Sequence, residues 1–234
     1  MPASGGGDRS QLEAIYLPLL RAGGLVIAQL GQTLDGRIAT RTGHSHFITG
    51  PADIVHLHRL RALVDGVVVG AGTAISDDPQ LTVREVAGRN PIRVVLDPSA
   101  RVPPDRRMFH DGLAPTLWIV TPQADPGPAP GGVEVLRLEV SPTGCGFDPG
   151  NVLQMLAARG LRWVLVEGGG ITVSRFLDAG VLHRLHVTVA PLLLGSGRPS
   201  LTLEPVDRLD QARRPRCRQF SLGDDVLFDL EFRP

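Results

Sequence analysis

Residues 163–179 read WVLVEGGGITVSRFLDA, which is an apolar strand, a glycine turn and the start of a helix. A strand that is apolar at every position is typical of a parallel sheet covered by helices on both faces. The glycines at 168–170 let a ligand approach the backbone, and the helix start offers unpaired N–H groups to a phosphate. Glycine at such a junction also occurs for packing alone, so this stretch leaves both interpretations open.

Short runs of β-branched residues alternate with helical segments across most of the chain, which favours an α/β sheet. Strands are predicted at Leu25–Leu30, Gly66–Val69, Ile92–Leu96, Leu117–Val120, Trp163–Val166 and Leu185–Ala190. Helices are predicted at Pro51–Val64, Asn151–Arg159 and Thr172–Ala179, where proline suits a first turn and glycines follow the last residues. The stretch Arg216–Phe232 alternates around a Gly-Asp pair and predicts an antiparallel hairpin.

These elements predict a three-layer α/β/α fold with a mostly parallel central sheet and an antiparallel C-terminal edge. We expect residues 1–20 to be a partly flexible N-terminal lead-in and residues 21–234 to form a single domain. The Pro- and Gly-rich segment 122–132 has strand signals close on both sides. We interpret it as a long surface connection within that domain.

The composition excludes several kinds of chemistry. The 24 basic residues are all arginine, and 24 acidic residues balance them. Without lysine, the chain has neither the lysine of a P-loop nor the Schiff-base lysine of a pyridoxal enzyme. A zero net charge also argues against a nucleic-acid partner, which normally selects a strong positive bias.

The cysteines and the N-terminus indicate a reduced, cytoplasmic protein. Cys145 and Cys217 are too few and too far apart for a disulfide framework or a four-cysteine zinc site. The first ten residues lack the apolar core of a signal peptide, and no apolar run approaches the ~20 residues of a membrane span. The histidine pairs 44/46 and 56/58 do not indicate a metal, since i,i+2 positions of a helix point to different faces.

Ligands of open parallel sheets bind beyond the carboxyl ends of the strands. Besides Glu167 and its glycines, the strand Gly66–Val69 ends near Thr73, whose hydroxyl suits a second phosphate cradle. Asp77 and Asp78 precede a proline there. Such a pair either stabilises a turn or places one carboxylate in the cleft as a proton donor or orienting group.

Taken together, seven motifs resemble a known family in their order and spacing. They are TLDGRIA at 33–39, GHSHFIT at 43–49, VGAGT at 69–73, DDPQLTVR at 77–84, PIRVVLD at 91–97, EGG at 167–169 and APLLLG at 190–195. The series resembles the reductase domain of the bifunctional deaminase/reductase of riboflavin biosynthesis, from residue 25 to the C-terminus. The chain lacks the His-x-Glu and Pro-Cys-x-x-Cys motifs of a zinc deaminase, so it resembles a free-standing reductase domain.

The resemblance implies a dihydrofolate-reductase-like fold and NADPH as the cofactor, with no metal. The implied reaction delivers hydride to the ribose C1′ of 5-amino-6-(5-phosphoribosylamino)uracil, or of the related pyrimidinone, and yields the ribitylamino product. It further implies a homodimer.

The resemblance also assigns roles to individual residues. Asp77, as the acid or orienting group, and Glu167, which reads the pyrimidine, are the implied catalytic residues. The implied substrate-binding residues are Gln29, Ser45, Thr49, Arg61, Leu81 and Arg84, of which Arg61 and Arg84, helped by Ser45, would hold the phosphate. The implied cofactor-binding residues are Gly31, Phe47, Thr73, Asp77, Ser99, Arg101, Gly169, Gly170, Ile171 and Thr172, with Arg101 favouring the 2′-phosphate of NADPH.

The chain departs from the family at one position. The family usually carries lysine in the first strand, two residues before a small residue, whereas this chain has Gln29 and Gly31. The neutral amide removes an ammonium from the substrate side. Two alternatives therefore stay open: a reductase of another heterocycle such as a pterin, and a non-catalytic nucleotide-binding paralogue.

Overall fold

The computed structural model describes residues 9–45, 48–142, 144 and 146–232. Six helices lie in this part of the chain: α1 (Arg9–Leu20), α2 (Pro51–Leu63), α3 (Ala71–Asp77), α4 (Arg107–His110), α5 (Pro149–Ala157) and α6 (Gly170–Asp178). The first strands are β1 (Leu25–Thr33), β2 (Arg37–Ala39), β3 (Gly66–Gly70), β4 (Ile92–Leu96), β5 (Thr116–Val120) and β6 (Val133–Arg137). They are followed by β7 (Trp163–Val166), β8 (Arg184–Ala190), β9 (Arg198–Pro199), β10 (Arg216–Leu222) and β11 (Asp225–Glu231).

Nine of these strands form one sheet in the order β10-β11-β8-β1-β7-β3-β4-β5-β6. The seven strands from β8 to β6 pair in parallel, while β11 pairs antiparallel with β8 and with β10. The predicted parallel sheet with an antiparallel C-terminal edge is therefore confirmed. Strands β2 and β9 form a separate antiparallel pair.

Helices cover both faces of the sheet. On one face α5 and α6 pack their apolar residues on Val26, Ala28 and Val164. On the other face α1, α2, α3 and α4 pack on Ile27 and Leu165. Successive strand residues point to opposite faces, which is why the central strands are apolar throughout. The three-layer prediction is confirmed by these two cores.

Six of the described elements are not among the predicted ones: helices α1, α3 and α4 and strands β2, β6 and β9. Helix α1 spans most of the segment expected to be a partly flexible lead-in, and its Ile15 and Leu19 are fully buried. Helix α5 begins two residues before its predicted start, because Pro149 occupies the first turn and the Asp148 carboxylate accepts the Asn151 N–H. None of the helices in the described ranges is long and apolar enough to cross a membrane.

Candidate active site

A cleft of about 1200 Å³ opens at the carboxyl ends of the central parallel strands. Its wall includes residues within β1 and residues that end or follow β7, β3, β4 and β5, which are neighbours in the sheet. Single drug-sized ligands occupy pockets of about 300–1,000 Å³. The cleft is therefore large enough for two ligands side by side.

Glu167, directly after β7, lies at the base of this cleft and is 5% exposed. Arg61 of α2 donates to both of its oxygens, from Nε at 2.8 Å and from Nη2 at 2.7 Å. Burial lowers the pKa of Arg61, but the pairing with Glu167 outweighs it and leaves that pKa raised. This bidentate pair fixes the carboxylate at the strand end.

Gln29, in β1, lies beside Glu167 on the same side of the sheet and also lines the cleft. Its Nε2 donates to the two oxygens of Asp53 in α2, at 3.1 and 3.3 Å. The Asp53 carboxylate also accepts from Thr49 at 2.7 Å and Thr188 at 2.6 Å. Burial raises the pKa of Asp53; the nearby Asp225 adds to this and the three hydrogen bonds oppose it.

Arg61 and Arg84 converge on Thr82. Arg61 Nη1 donates to the Thr82 carbonyl at 3.1 Å, and Arg84 Nη1 donates to the Thr82 hydroxyl at 2.7 Å. Burial, and after it the neighbouring Arg61, lowers the pKa of Arg84. The backbone N–H of Arg84 is held by His58 Nδ1 at 3.0 Å. The two guanidiniums are thus held next to each other on Thr82.

The glycine turn after Glu167 faces Thr73 of α3. The Thr73 hydroxyl accepts the N–H of Gly169 at 2.9 Å. Gly168 has φ +103°, and a Cβ there would lie 2.7 Å from the Thr73 Oγ1, so only glycine fits. Within α6 the first N–H groups to bond are those of Thr172 and Val173, so Gly170 and Ile171 carry the donors that a helix N-terminus leaves unpaired.

The carboxylates of Asp77 and Asp78, at the end of α3, have different surroundings. Asp77 is exposed on the cleft wall and accepts from the Ser76 hydroxyl at 2.6 Å. Asp78 turns away with φ 41° and binds the backbone and guanidinium of Arg107. Asp78 thus stabilises the turn, while Asp77 is the carboxylate of the pair that lines the cleft.

Most of the predicted site residues line the cleft. Its wall includes Gln29, Gly31, Ser45, Thr73, Asp77, Ser99, Arg101, Glu167, Gly169, Gly170, Ile171 and Thr172. Four predicted residues are not part of the wall itself: Arg61, Arg84, Thr49 and Leu81. Arg61 pairs with Glu167, Arg84 contacts Thr82, Thr49 contacts Asp53, and Leu81 is 1% exposed in the core. Phe47 lies outside the described residues.

Charged residues of this site that are not among the predicted ones include Arg175, Arg198 and Asp53. Arg175 and Arg198 line the cleft, and Asp53 lies directly behind Gln29. Arg175 lies about one helical turn after the glycine turn. Its position relative to the cleft could therefore be predicted from the sequence. Arg198 comes from β9 and approaches Gly43 through the β2–β9 pair, for which the sequence carries no local signal.

A profile of the family described as RibD C-terminal domain matches residues 25–223. A similar protein is the 2,5-diamino-6-ribosylamino-4(3H)-pyrimidinone 5′-phosphate reductase of Methanothermobacter thermautotrophicus, 36% identical over 87% of this chain and 96% of the relative. The riboflavin biosynthesis protein RibD of Aquifex aeolicus is 34% identical over 84% of this chain. This chain spans 54% of the length of that RibD protein.

Solved structures have the same fold. The deaminase and 5-amino-6-(5-phosphoribosylamino)uracil reductase of Thermotoga maritima superposes with a TM-score of 0.77 at 26% identity, covering 89% of this chain and 56% of its own. The riboflavin biosynthesis reductase Rib7 of Saccharomyces cerevisiae also reaches 0.77, at 22% identity, covering 97% of this chain and all of its own.

Proposed function

Because the chain belongs to the RibD C-terminal domain family and is an oxidoreductase of riboflavin biosynthesis, we propose that it uses NADPH to reduce a 5-phosphoribosylamino-pyrimidine. The substrate is the 5-amino-uracil or the related diamino-pyrimidinone, and the product carries a ribityl chain. One observation carries the proposal: Asp77 and Glu167 face one cleft together with a glycine turn and a helix N-terminus.

The glycine-lined half of the cleft fits a dinucleotide. Gly168 admits no side chain toward Thr73, and the amides of Gly170 and Ile171 suit a pyrophosphate. Ser99 and Arg101, which follow β4, lie on the same wall and suit the 2′-phosphate. Gly31, on β1, lines the cleft next to Gln29, and we place the nicotinamide end there.

The acidic half of the cleft fits the phosphorylated pyrimidine. Glu167, held by Arg61, accepts hydrogen bonds from the ring N–H groups. Ser45, on the cleft wall, takes the phosphate, and Arg84 and Arg61, which lie off the wall around Thr82, contribute positive charge to that side of the cleft.

When bound, NADPH supplies a hydride to the ribose C1′. The residues of this chain hold the substrate and donate the proton. Asp77, on the cleft wall, donates a proton to the sugar oxygen released when the ring opens, and the Ser76 hydroxyl orients its carboxyl group. Glu167 and Arg61 fix the pyrimidine so that C1′ stays in one position.

The proposal extends to a cytoplasmic homodimer, as the family resemblance implies. The molar mass in solution tests the dimer. A mass of one chain at working concentration contradicts that part alone.

Turnover tests the main proposal. Purified protein with NADPH and each pyrimidine should consume the cofactor, and the product should gain the mass of one hydride and one proton. We expect Asp77→Asn to lower kcat by about 100-fold, in the range of a lost general acid. Asp125→Asn, in an exposed loop where the carboxylate accepts only from Gly127, is the matched control.

Two outcomes would contradict the proposed reaction. NADPH binding without turnover on either pyrimidine identifies a non-catalytic paralogue. Turnover of a pterin but of neither phosphorylated pyrimidine identifies a reductase of another heterocycle.

A further inference from the structure

The turns that follow β3 and β7 lie side by side in the cleft. The two strands pair in parallel as far as Val68 and Val166, and the Glu167 N–H donates to the Val68 carbonyl at 2.9 Å. Gly70 and Gly168 each lie two residues beyond that last pair, so they occupy the same level of the sheet. Helices α3 and α6 begin at these turns, and the first residues of both line the cleft.

Each turn contacts a threonine from the other helix. Thr73 and Thr172 are the third residues of α3 and α6. Thr73 packs on Gly168, where an added Cβ would lie 2.7 Å from the threonine Oγ1. Thr172 packs on Gly70 in the same way, with its Oγ1 2.5 Å from the position of a Cβ. The contacts are reciprocal, and we call these four residues the Thr–Gly interlock.

Glycine at position 70 is explained by this contact and not by the backbone. Gly70 has φ −82° and ψ 158°, an extended conformation that any residue adopts. It is the N-cap of α3, where Ser, Asp or Asn would stabilise the helix better, and no side chain caps this helix. Since a Cβ essentially never comes within 3.0 Å of another heavy atom, Thr172 leaves no room for one. Glycine therefore weakens the cap but permits the contact between the two turns.

The interlock bears on the proposed chemistry through Asp77. Asp77 is the last residue of α3 and follows Thr73 by four positions, so the two lie on the same face of this short helix. Glu167 directly precedes the other turn. A change in the contact at Gly70 moves α3 against that turn, and the Asp77 carboxyl group moves with the helix.

We propose that Thr172 and Gly70 are positioning residues, which set the position of Asp77 relative to the ligands bound at Glu167 and at the start of α6. The inference rests on the proposed function, since it takes Asp77 to be the proton donor. Thr172 has this role in addition to the cofactor contact that the family resemblance implies. A shift of about 1 Å at a reacting group is enough to lower a rate by about 100-fold.

A double-mutant cycle tests the contact, with kcat measured at saturating NADPH and saturating pyrimidine. Gly70→Ala places a Cβ against the Thr172 oxygen, so we expect kcat to fall by about tenfold or more. Thr172→Ala removes that oxygen, and in this background Gly70→Ala should lower kcat by less than about twofold. Thr172→Val puts a methyl group in place of the hydroxyl, so in this background the loss should again be about tenfold or more.

Gly131→Ala is the matched control. Gly131 lies in an exposed turn where an added Cβ meets nothing within 4 Å, so this substitution should leave kcat at the wild-type value.

The cycle separates the inference from the proposed function. If Gly70→Ala costs the same with threonine and with alanine at position 172, the inference is overturned. A Gly70→Ala protein that loses free energy of unfolding but keeps its kcat also overturns it, because that is the result of a merely structural role. Absence of turnover in the wild type rejects the proposed function and the inference with it, whereas an active wild type with additive losses rejects the inference alone.

The single variants at position 172 decide the inference if Gly70→Ala does not fold. Valine keeps the branched shape that packs on Gly70, so Thr172→Val should keep most of kcat at saturating NADPH. Thr172→Ala removes the contact and should lower kcat severalfold under the same conditions. Equal kcat values in the two variants overturn the inference.

Discussion

Thr73 joins the two glycine-bearing turns of the cleft through a single hydroxyl. It accepts the N–H of Gly169 at 2.9 Å, and Gly168 packs against it in a left-handed conformation. The hydroxyl thus holds the strand–helix turn open at the helix N-terminus, where the proposed pyrophosphate lies.

Thr73→Val keeps the branched shape and removes the acceptor. The Gly169 amide then lacks its partner at a cost of about 1–3 kcal/mol, part of which is expressed in the geometry of the turn. We expect the Kd for NADPH to rise by about tenfold, measured by calorimetry. The same change at Thr42, whose exposed hydroxyl contacts Thr40, should have no effect. An unchanged Kd at Thr73 would show that the turn keeps its shape without the bond.

Arg101 allows a second test at the scale of one residue. It lies on the cleft wall beyond β4. If it binds the 2′-phosphate, Arg101→Gln should weaken NADPH by about tenfold, the loss of roughly 1.4 kcal/mol, and leave NADH unchanged. Titration with both cofactors checks this. An equal loss for both would assign Arg101 a structural role.

At the scale of elements, a buried polar chain joins helices α1 and α2 to strands β8 and β11. Tyr16 bonds to His56 at 2.6 Å, and His56 bonds to His186 at 3.0 Å. His186 Nε2 lies 3.3 Å from Asp229, which also accepts from Arg184 and Arg218. Burial lowers the pKa of His56 well below its usual value, and the neighbouring His186 adds to this, so His56 is neutral in the fold.

Asp229 makes the stability of this junction depend on pH. Burial raises its pKa, but the nearby His186 and the hydrogen bonds and charge of Arg184 outweigh burial and leave it lowered. A carboxylate with a depressed pKa in the fold stabilises the protein above its unfolded value of about 4, and this contribution is lost as the pH falls below that value.

Asp229→Asn should therefore lower the free energy of unfolding by about 3 kcal/mol at neutral pH, because two guanidiniums lose their buried partner. The difference from wild type should shrink on acidification toward and below about pH 4. Denaturant titrations across that range measure it, with the exposed Asp125→Asn as control. A difference that stays constant over this range would contradict the linkage.

Elements defined by local pattern are the ones that the sequence predicts well. Strand β7 and the hairpin β10–β11 are recognisable because their apolar period and turn residues are local. Helix α1 is not, since it carries a proline at position 18 and its Ile15 is buried against Leu222 and Leu227, some 200 residues away. Its helical form depends on that packing more than on propensity.

The residues of the candidate site also divide into those predicted by a local pattern and those that depend on long-range contacts. Glu167 and the glycine turn are predictable from a strand followed by glycines. The pairing of Glu167 with Arg61 joins residues 106 positions apart, and Asp53 is a helical carboxylate that becomes informative only beside Gln29. Side-chain partners across the sheet depend on strand order, which no local pattern contains.

At the scale of the whole molecule, the strand order places the first strand between strands from the C-terminal half of the chain. Strand β1 lies between β7 and β8, and β7 separates β1 from β3. The N-terminal strand is thus enclosed by strands from the C-terminal half, and neither half has a complete sheet alone. Unfolding should be a single cooperative transition.

The cleft crosses five of these strands, so a ligand that fills it should stabilise the entire sheet and not one part of it. NADPH at 100 times its Kd contributes about 2.7 kcal/mol, which corresponds to a rise in Tm of about 5–10 °C for a domain of this size. Calorimetric scans should show one peak that moves as a whole, and Thr73→Val should move less at the same NADPH concentration. Two peaks, of which NADPH shifts only one, would mean that part of the sheet unfolds independently of the cofactor-binding half.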